Sequence, residues 1–280
     1  MDKKKPIQIN FNNGTSSTID ENVYALILDL EKKIKNPMSL PPFWNLSSIL
    51  RKNFDDDFLK FYNYLLTYYK ESKSQLFQDL FVIYKLSEKT NGTFLEFGAT
   101  NGLDMSNTYL LENKFKWNGV LAEPSYLWHS SLKKNRPNCK ILNECIYSES
   151  GKKLDFFTSS IGELSTLEQF RESDLNSINK NTTDRNKKGF SHKVMSISLN
   201  DVFMKYFNSS PIDYMSVDTE GSELLILENF DFEKFSPKIV TVEHNFTESQ
   251  NALDTLFSHN NYKRIFKEHT QFDAWYVLQN

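Results

Sequence analysis

Residues Phe94 to Gly102 read FLEFGATNG, an apolar run interrupted by one carboxylate and closed by two glycines. A strand covered on both faces reads as such a near-continuous apolar run. Glycines just past its end let the backbone turn tightly and approach a ligand without a Cβ in the way, and the amides that open the next helix face the same point. In a doubly wound α/β sheet the ligand lies beyond the carboxyl ends of the strands, where strand order reverses, normally after the first strand. FLEFGATNG fits that place.

The surrounding pattern supports the assignment. From Thr93 onward short apolar runs (TFLEFGA, GVLAEP, CKILNECI) alternate with amphipathic segments (SNTYLLENKF, SYLWHSSLKKN), the signature of a parallel sheet covered by helices. A second half continues it: a helix over Leu199 to Phe207, strand Ile212 to Asp218, helix SELLILENF, strand Lys238 to His244, helix QNALDTLFSHN, and strands near Tyr262 to Phe266 and Ala274 to Leu278. The expected fold is α/β, a doubly wound, Rossmann-like sheet over 91–280, preceded by a flexible arm (1–20) and a helical N-terminal extension (21–90). That extension holds helical spacing at Glu21 to Lys35, Asp56 to Lys70 and Ser74 to Leu86. Residues 161–192 have few apolar positions and no sustained period, and read as a lid or insertion.

Composition excludes several classes. The 280 residues are 39% hydrophobic and 25% charged, with 23 Phe and 13 Tyr, a globular composition whose core is aromatic. A net charge of −3 with both signs interspersed offers no basic face for nucleic acid. The basic start MDKKKPIQINFNNGTSST is followed by no apolar h-region, and no stretch of about 18 uncharged apolar residues occurs, so a soluble, cytoplasmic protein without a membrane span is expected. Two cysteines, Cys139 and Cys145, make neither a disulfide framework nor a thiolate zinc site.

Glu96 narrows the ligand. A dinucleotide fingerprint is G-x-G-x-x-G, whereas this segment is E-x-G-x-x-x-G, with a carboxylate two residues before the first glycine. A carboxylate there repels phosphate and suits a cation such as S-adenosylmethionine, which carries an ammonium and a sulfonium and no phosphate. The blander account is a glycine-rich turn whose glutamate caps a neighbouring helix. Glu123 ends the next strand about 20 residues past Gly102, the position from which an acidic side chain accepts ribose hydroxyls. In DYMSVDTEGSELLIL, Asp218 ends the fourth strand, with Glu220 and Glu223 beyond it. Asp218 and Glu220 are candidates for orienting or deprotonating an acceptor, and Glu223 fits a helix start through the dipole. In VEHN, His244 is a candidate general base. Asp218, Glu220 and His244 are alternatively a divalent-cation set, although no spacing makes that specific.

Assembled in order, SQLFQD (Ser74 to Asp79), TFLEFGATNG, SNTYLLE, W-x-G-x-L-x-E-P (Trp117 to Pro124), VDTEGSE (Val217 to Glu223) and VEHN resemble the FkbM family of S-adenosylmethionine-dependent methyltransferases, from about Ser74 to the C-terminus. The resemblance implies a class I methyltransferase fold, with Glu96, Gly98, Ala99, Asn101 and Gly102 around the methionine part of the cofactor and Glu123 on its ribose. It implies Cys145 and Ile146 near adenine, Asp218 beside the cofactor, and Gln78 and Asp79 in a pre-strand motif near the pocket. Ala99-Thr100-Asn101 stands where relatives often carry Ala-Asn-Asp. The activity implied is O-methylation of a sugar, nucleotide-sugar or glycan. Within the lid, His192 and Arg185 are candidates for enclosing and selecting the acceptor. Rival readings are a noncatalytic binding module on the same fold, a methyltransferase of a non-sugar small molecule, and, weakest, an NAD-dependent dehydrogenase.

Overall fold

In a computed structural model of the chain, residues 7–10, 16–19, 56–174 and 181–279 are described. The helix expected over Glu21 to Lys35 lies outside these residues. The chain divides into two units, Met1–Leu59 and Lys60–Asn280. In the first, strands β1 (Ile7–Asn10) and β2 (Ser16–Ile19) pair antiparallel, inside the segment expected as a flexible arm. Helix α1 (Asp56–Tyr68) follows.

The second unit continues with α2 (Gln78–Lys85), β3 (Thr93–Phe97), α3 (Tyr109–Asn113), β4 (Asn118–Ala122), α4 (Tyr126–Asn135), β5 (Lys140–Leu142), β6 (Cys145–Tyr147) and β7 (Lys153–Ser159). Next come β8 (Thr166–Leu167), α5 (Asn181–Arg185), β9 (Gly189–Ser198), α6 (Leu199–Tyr206), β10 (Tyr214–Val217), α7 (Glu223–Glu228) and α8 (Phe232–Phe235). The chain closes with β11 (Ile239–Glu243), α9 (Ser249–His259), β12 (Tyr262–Ile265) and β13 (Asp273–Leu278).

Seven strands form one sheet in the order β12-β13-β11-β10-β3-β4-β5. β10 and β11, β3 and β10, β3 and β4, and β4 and β5 pair parallel; β13 alone runs antiparallel to both its neighbours. The chain leaves β3 toward β4 on one side and later returns to β10 on the other, so the strand order reverses at β3.

Alternation along the strands sets the two faces of the sheet. Leu95 and Phe97 of β3, Met215 and Val217 of β10 and Val240 and Val242 of β11 pack with Val202 and Phe203 of α6, Ile226 and Leu227 of α7, and Leu253 and Phe257 of α9. Each side chain so buried contributes about 1.5–3 kcal/mol. The opposite face carries aromatics: Phe81 of α2 meets Trp275 of β13 at 4.5 Å between ring centroids, and Phe61 stacks on Phe266 at 5.3 Å. The cap of α6 is the Ser198 side chain, which accepts the Asp201 N–H at 3.1 Å. Helix α2 starts at Gln78 rather than at the expected Ser74, because Phe77 adopts a left-handed conformation, φ 64°, that no helix continues through.

A second sheet, β6-β9-β7-β8, lies between the halves, and the run CKILNECI, expected as one strand, divides between the two sheets as β5 and β6. The segment expected to be an irregular lid holds a 3₁₀ turn at Gly162–Leu164, β8, a second 3₁₀ turn at Glu168–Phe170, α5 and the first residues of β9. The β7–β9 pairing, from Lys153–Met195 to Ser159–Gly189, anchors it. Among the described residues no helix is long and apolar enough to cross a membrane.

Candidate active site

A cavity of about 370 Å³ opens beyond the carboxyl ends of β3, β4 and β10, at the point of strand reversal. Gly98, Ala99 and Thr100 bound it after β3, Glu123 and Pro124 after β4, and Asp218, Thr219 and Glu220 after β10. The turn Gly162–Ser165 closes it from the insertion, and Cys145 and Ile146 supply an apolar wall. Gly98 is fixed by geometry: its φ is +73°, and a Cβ there would overlap the carbonyl oxygen of Asp218. Its N–H donates to Ala122 O at 3.1 Å, a backbone link from the turn after β3 to the end of β4.

Glu123 reaches back into the glycine loop. One carboxylate oxygen accepts the Thr100 N–H at 2.8 Å and the other the Ser125 N–H at 2.7 Å. Burial pushes it up to about 7, the two amide bonds opposing the shift. Each oxygen keeps a further lone pair for a ligand hydroxyl.

Other expected contacts take different places. Glu96 does not line the cavity. Side chains of a strand alternate, and Glu96 lies on the face opposite Leu95 and Phe97, tucked under the loop before α3. There it accepts the Asn107 N–H at 2.7 Å, the Thr108 hydroxyl at 2.5 Å and the Ser106 hydroxyl at 3.1 Å, and lies 3.8 Å from the buried Arg136. Gly102 packs against Leu132 and Arg136, and Asn101 accepts the Leu103 and Asp104 N–H groups at 2.9 Å, closing the turn. Neither lines the cavity. Of the pre-strand pair, Gln78 lines it, donating to Asp273 Oδ2 at 3.0 Å and accepting the Leu76 N–H at 2.9 Å. Asp79 does not. It is fully buried, accepts the Ser72 hydroxyl and Leu80 N–H at 2.7 Å, and is pushed by burial up to about 6.

Asn107 is a site residue that sequence reasoning quoted only within SNTYLLE. Its amide donates to the Ser216 hydroxyl at 2.9 Å, while its Oδ1, buried in the cavity wall, has no hydrogen-bond partner. A buried acceptor left this way is costly and suits a ligand donor.

In the cavity wall Asp218, Glu220 and Glu243 converge, with one carboxylate oxygen from each lying within 4.8 Å of the others. Burial, then Glu223 and Asp273, pushes Asp218 up to about 7. Burial and the Asp218 charge raise Glu243 well above the ordinary carboxylate range. Glu220 rises for the same reasons, opposed by Arg185, whose guanidinium donates to it at 2.6 Å. Arg185, expected in the lid as an acceptor contact, is fully buried and also paired with Asp174 at 2.9 Å, so it ties the insertion to the loop after β10. His192, likewise expected to meet the acceptor, is outside the cavity on β9, edge-on to Tyr126 at 4.9 Å. Glu223 accepts the Thr219 and Gly221 N–H groups at the start of α7, as the dipole reading had it.

His244 does not join the cluster. On β11, Thr241 and Glu243 face the cavity, and the next residue turns away. The His244 Nδ1 accepts the Phe246 N–H at 3.1 Å and Nε2 lies 3.3 Å from the Arg264 guanidinium. Burial and that guanidinium lower it to about 4. The expected metal set of Asp218, Glu220 and His244 is therefore not assembled, and Glu243 occupies the third place.

A family model described as the methyltransferase FkbM domain matches residues 96–275. No curated protein matches the chain. Among solved structures, a precorrin-6y C5,15-methyltransferase from Geobacter metallireducens GS-15 aligns over 71% of this chain and 85% of its own at 9% identity and TM-score 0.37. A TehB-like SAM-dependent methyltransferase from Corynebacterium glutamicum ATCC 13032 Kitasato aligns over 79% and 99% at 6% identity and TM-score 0.39. A ribosomal protein L11 methylase from Lactobacillus delbrueckii subsp. bulgaricus aligns over 72% and 77% at 8% identity and TM-score 0.38.

Proposed function

Because the chain belongs to the FkbM methyltransferase family, we propose that it moves a methyl group from S-adenosylmethionine to a hydroxyl of a sugar or glycan, with Asp218 and Glu243 receiving the proton. The observation that carries the reading is the convergence of those two carboxyls in the wall of a cavity that otherwise suits the cofactor.

The residues fit S-adenosylmethionine. Gly98, Ala99 and Thr100 border the cavity where the cofactor would lie, Glu123 offers carboxylate lone pairs to ribose hydroxyls, and Cys145 and Ile146 form an apolar wall suited to adenine. The unpartnered Asn107 Oδ1 suits the ammonium of the methionine part. When bound, the cofactor supplies an electrophilic methyl group on a sulfonium.

The protein's task in such a displacement is mainly to hold the acceptor oxygen near and in line. A sugar hydroxyl is a poor nucleophile while protonated, so a base beside it contributes typically 10²–10⁴-fold. Two carboxyls within 4.8 Å in a buried site do not both ionise readily, and one ionised partner at near-neutral pH is a competent base. Glu220, balanced by Arg185, holds the loop that carries Asp218. Arg185 gives Glu220 a cationic partner within the cluster, and shares it with Asp174.

The test is turnover of S-adenosylmethionine with a panel of sugar acceptors, wild type against Glu243→Gln. Acceptor-dependent formation of S-adenosylhomocysteine that falls at least a hundredfold in the variant supports the assignment. Cofactor binding without transfer to any acceptor would favour a binding module.

A further inference from the structure

A second cavity, of about 440 Å³, meets the first at Glu243 and Asn245, the two residues that line both. It therefore adjoins Glu243, one of the two carboxyls to which the proposed function gives the proton. Its wall carries Glu172, Asp174, Glu223, Glu243 and Glu248, and among the described residues no lysine or arginine lines it. Its remaining titratable group, His244, is kept neutral by burial and by Arg264.

Two arginines stand behind the wall, and both are engaged: Arg185 with Asp174 and Glu220, Arg264 with Asp254. Glu223 is held by backbone amides. Glu243 is raised toward its neutral form and Asp174 shares Arg185, which leaves Glu172, Glu223 and Glu248 as the wall's acidic groups without a cation among the lining residues. A second, independent feature points the same way. Asp174 is 2% exposed, and while its Oδ1 takes Arg185 and the Thr182 hydroxyl, its Oδ2 is buried with no hydrogen-bond partner. A buried carboxylate oxygen without a donor is costly unless a ligand supplies one.

We infer that this cavity is the acceptor subsite and that it takes a protonated amine, so that the acceptor is an amine-bearing sugar whose hydroxyl is presented to Asp218 and Glu243. The inference rests on the methyltransferase reading above. It runs against phosphorylated or carboxylated acceptors, nucleotide sugars included, because their charge would enter a wall of carboxylates with no lining cation.

The experiment titrates S-adenosylhomocysteine-loaded protein with glucosamine, N-acetylglucosamine and glucuronate, followed by ligand-observed NMR, for the wild type and for the double variant Glu172→Gln/Glu248→Gln. Both substituted residues are exposed and outside the catalytic cluster, so the fold is kept. Glucosamine is expected to bind about fivefold or more tightly than N-acetylglucosamine, with glucuronate weakest. The preference shrinks in about 0.5 M salt and in the double variant. Equal binding of the three sugars, a preference for glucuronate, or a preference unchanged in the double variant overturns the inference. S-adenosylhomocysteine affinity, measured in parallel, separates the two ideas: retained affinity without an amine preference removes only the acceptor class, and absent affinity removes the methyltransferase reading with it.

Discussion

The carbonyl oxygen of Asp218 occupies the space that a Cβ on Gly98 would need, so the backbone of the loop after β10 packs directly on that of the loop after β3. Gly98→Ala would have to move one loop and also hold alanine at φ +73°, a cost of about 1–3 kcal/mol before the clash is counted. The variant is expected to melt several degrees lower and to lose S-adenosylhomocysteine binding. Thermal denaturation with and without the ligand checks both, and unchanged binding would mean the two loops are not coupled.

Glu243 and His244 are neighbours in sequence with opposite roles. Glu243→Gln is expected to lower kcat by 10²–10⁴-fold while leaving cofactor affinity within a few-fold. His244→Gln should keep kcat near wild type, because its ring meets Arg264 and the Phe246 amide and does not line the first cavity. Single-turnover rates of the two variants decide between them.

The pH dependence follows from the raised carboxyls. Transfer needs the ionised base, so kcat/KM should climb with unit slope below about pH 7 and level off above it, Asp218 being pushed up to about 7. A flat profile from pH 5 to 8 would exclude the pair as base. Stability of the unliganded protein runs the other way. Asp218 and Glu123 bind protons more tightly folded than unfolded, so their contribution is present below about pH 4 and is lost as pH rises through about 7. The melting temperature should fall over that window, and Glu123→Gln should flatten the fall.

Arg185 is fully buried between Asp174 and Glu220. Arg185→Met leaves two buried carboxylates without their cation, a loss of about 3–5 kcal/mol. Urea denaturation should show the midpoint shift. A variant as stable as wild type would mean the carboxyls take up protons without cost.

The parallel sheet was legible because its strands are short apolar runs set between amphipathic helices: β3, β4 and β10 to β13 each lie within a residue or two of an expected run, whereas CKILNECI divides into β5 and β6, and β7 to β9 have no counterpart among the expected strands. The cavity was legible for the same reason, since strand reversal sets its location. Individual side chains were less so. Glu96 sits inside a motif that reads as ligand-facing, yet one step of strand alternation turns it toward Ser106, Thr108 and Arg136, far partners in sequence. The same step separates Glu243 from His244. The insertion hid its strands because β7 pairs with β9 across some 40 residues, a long-range contact with no local period. Asn107 gave no signal beyond its motif, because what marks it is an unpartnered oxygen, visible only in three dimensions.

The most direct measurement of the central claim is calorimetric titration of the protein and its Glu123→Ala variant with S-adenosylhomocysteine. The account predicts saturable binding to the wild type and a loss of affinity of tenfold or more in the variant, about 1.4 kcal/mol, because Glu123 both faces the cavity and holds the Thr100 amide. Absence of binding to the wild type, or equal affinity in the two proteins, would contradict a cofactor site at the end of β4.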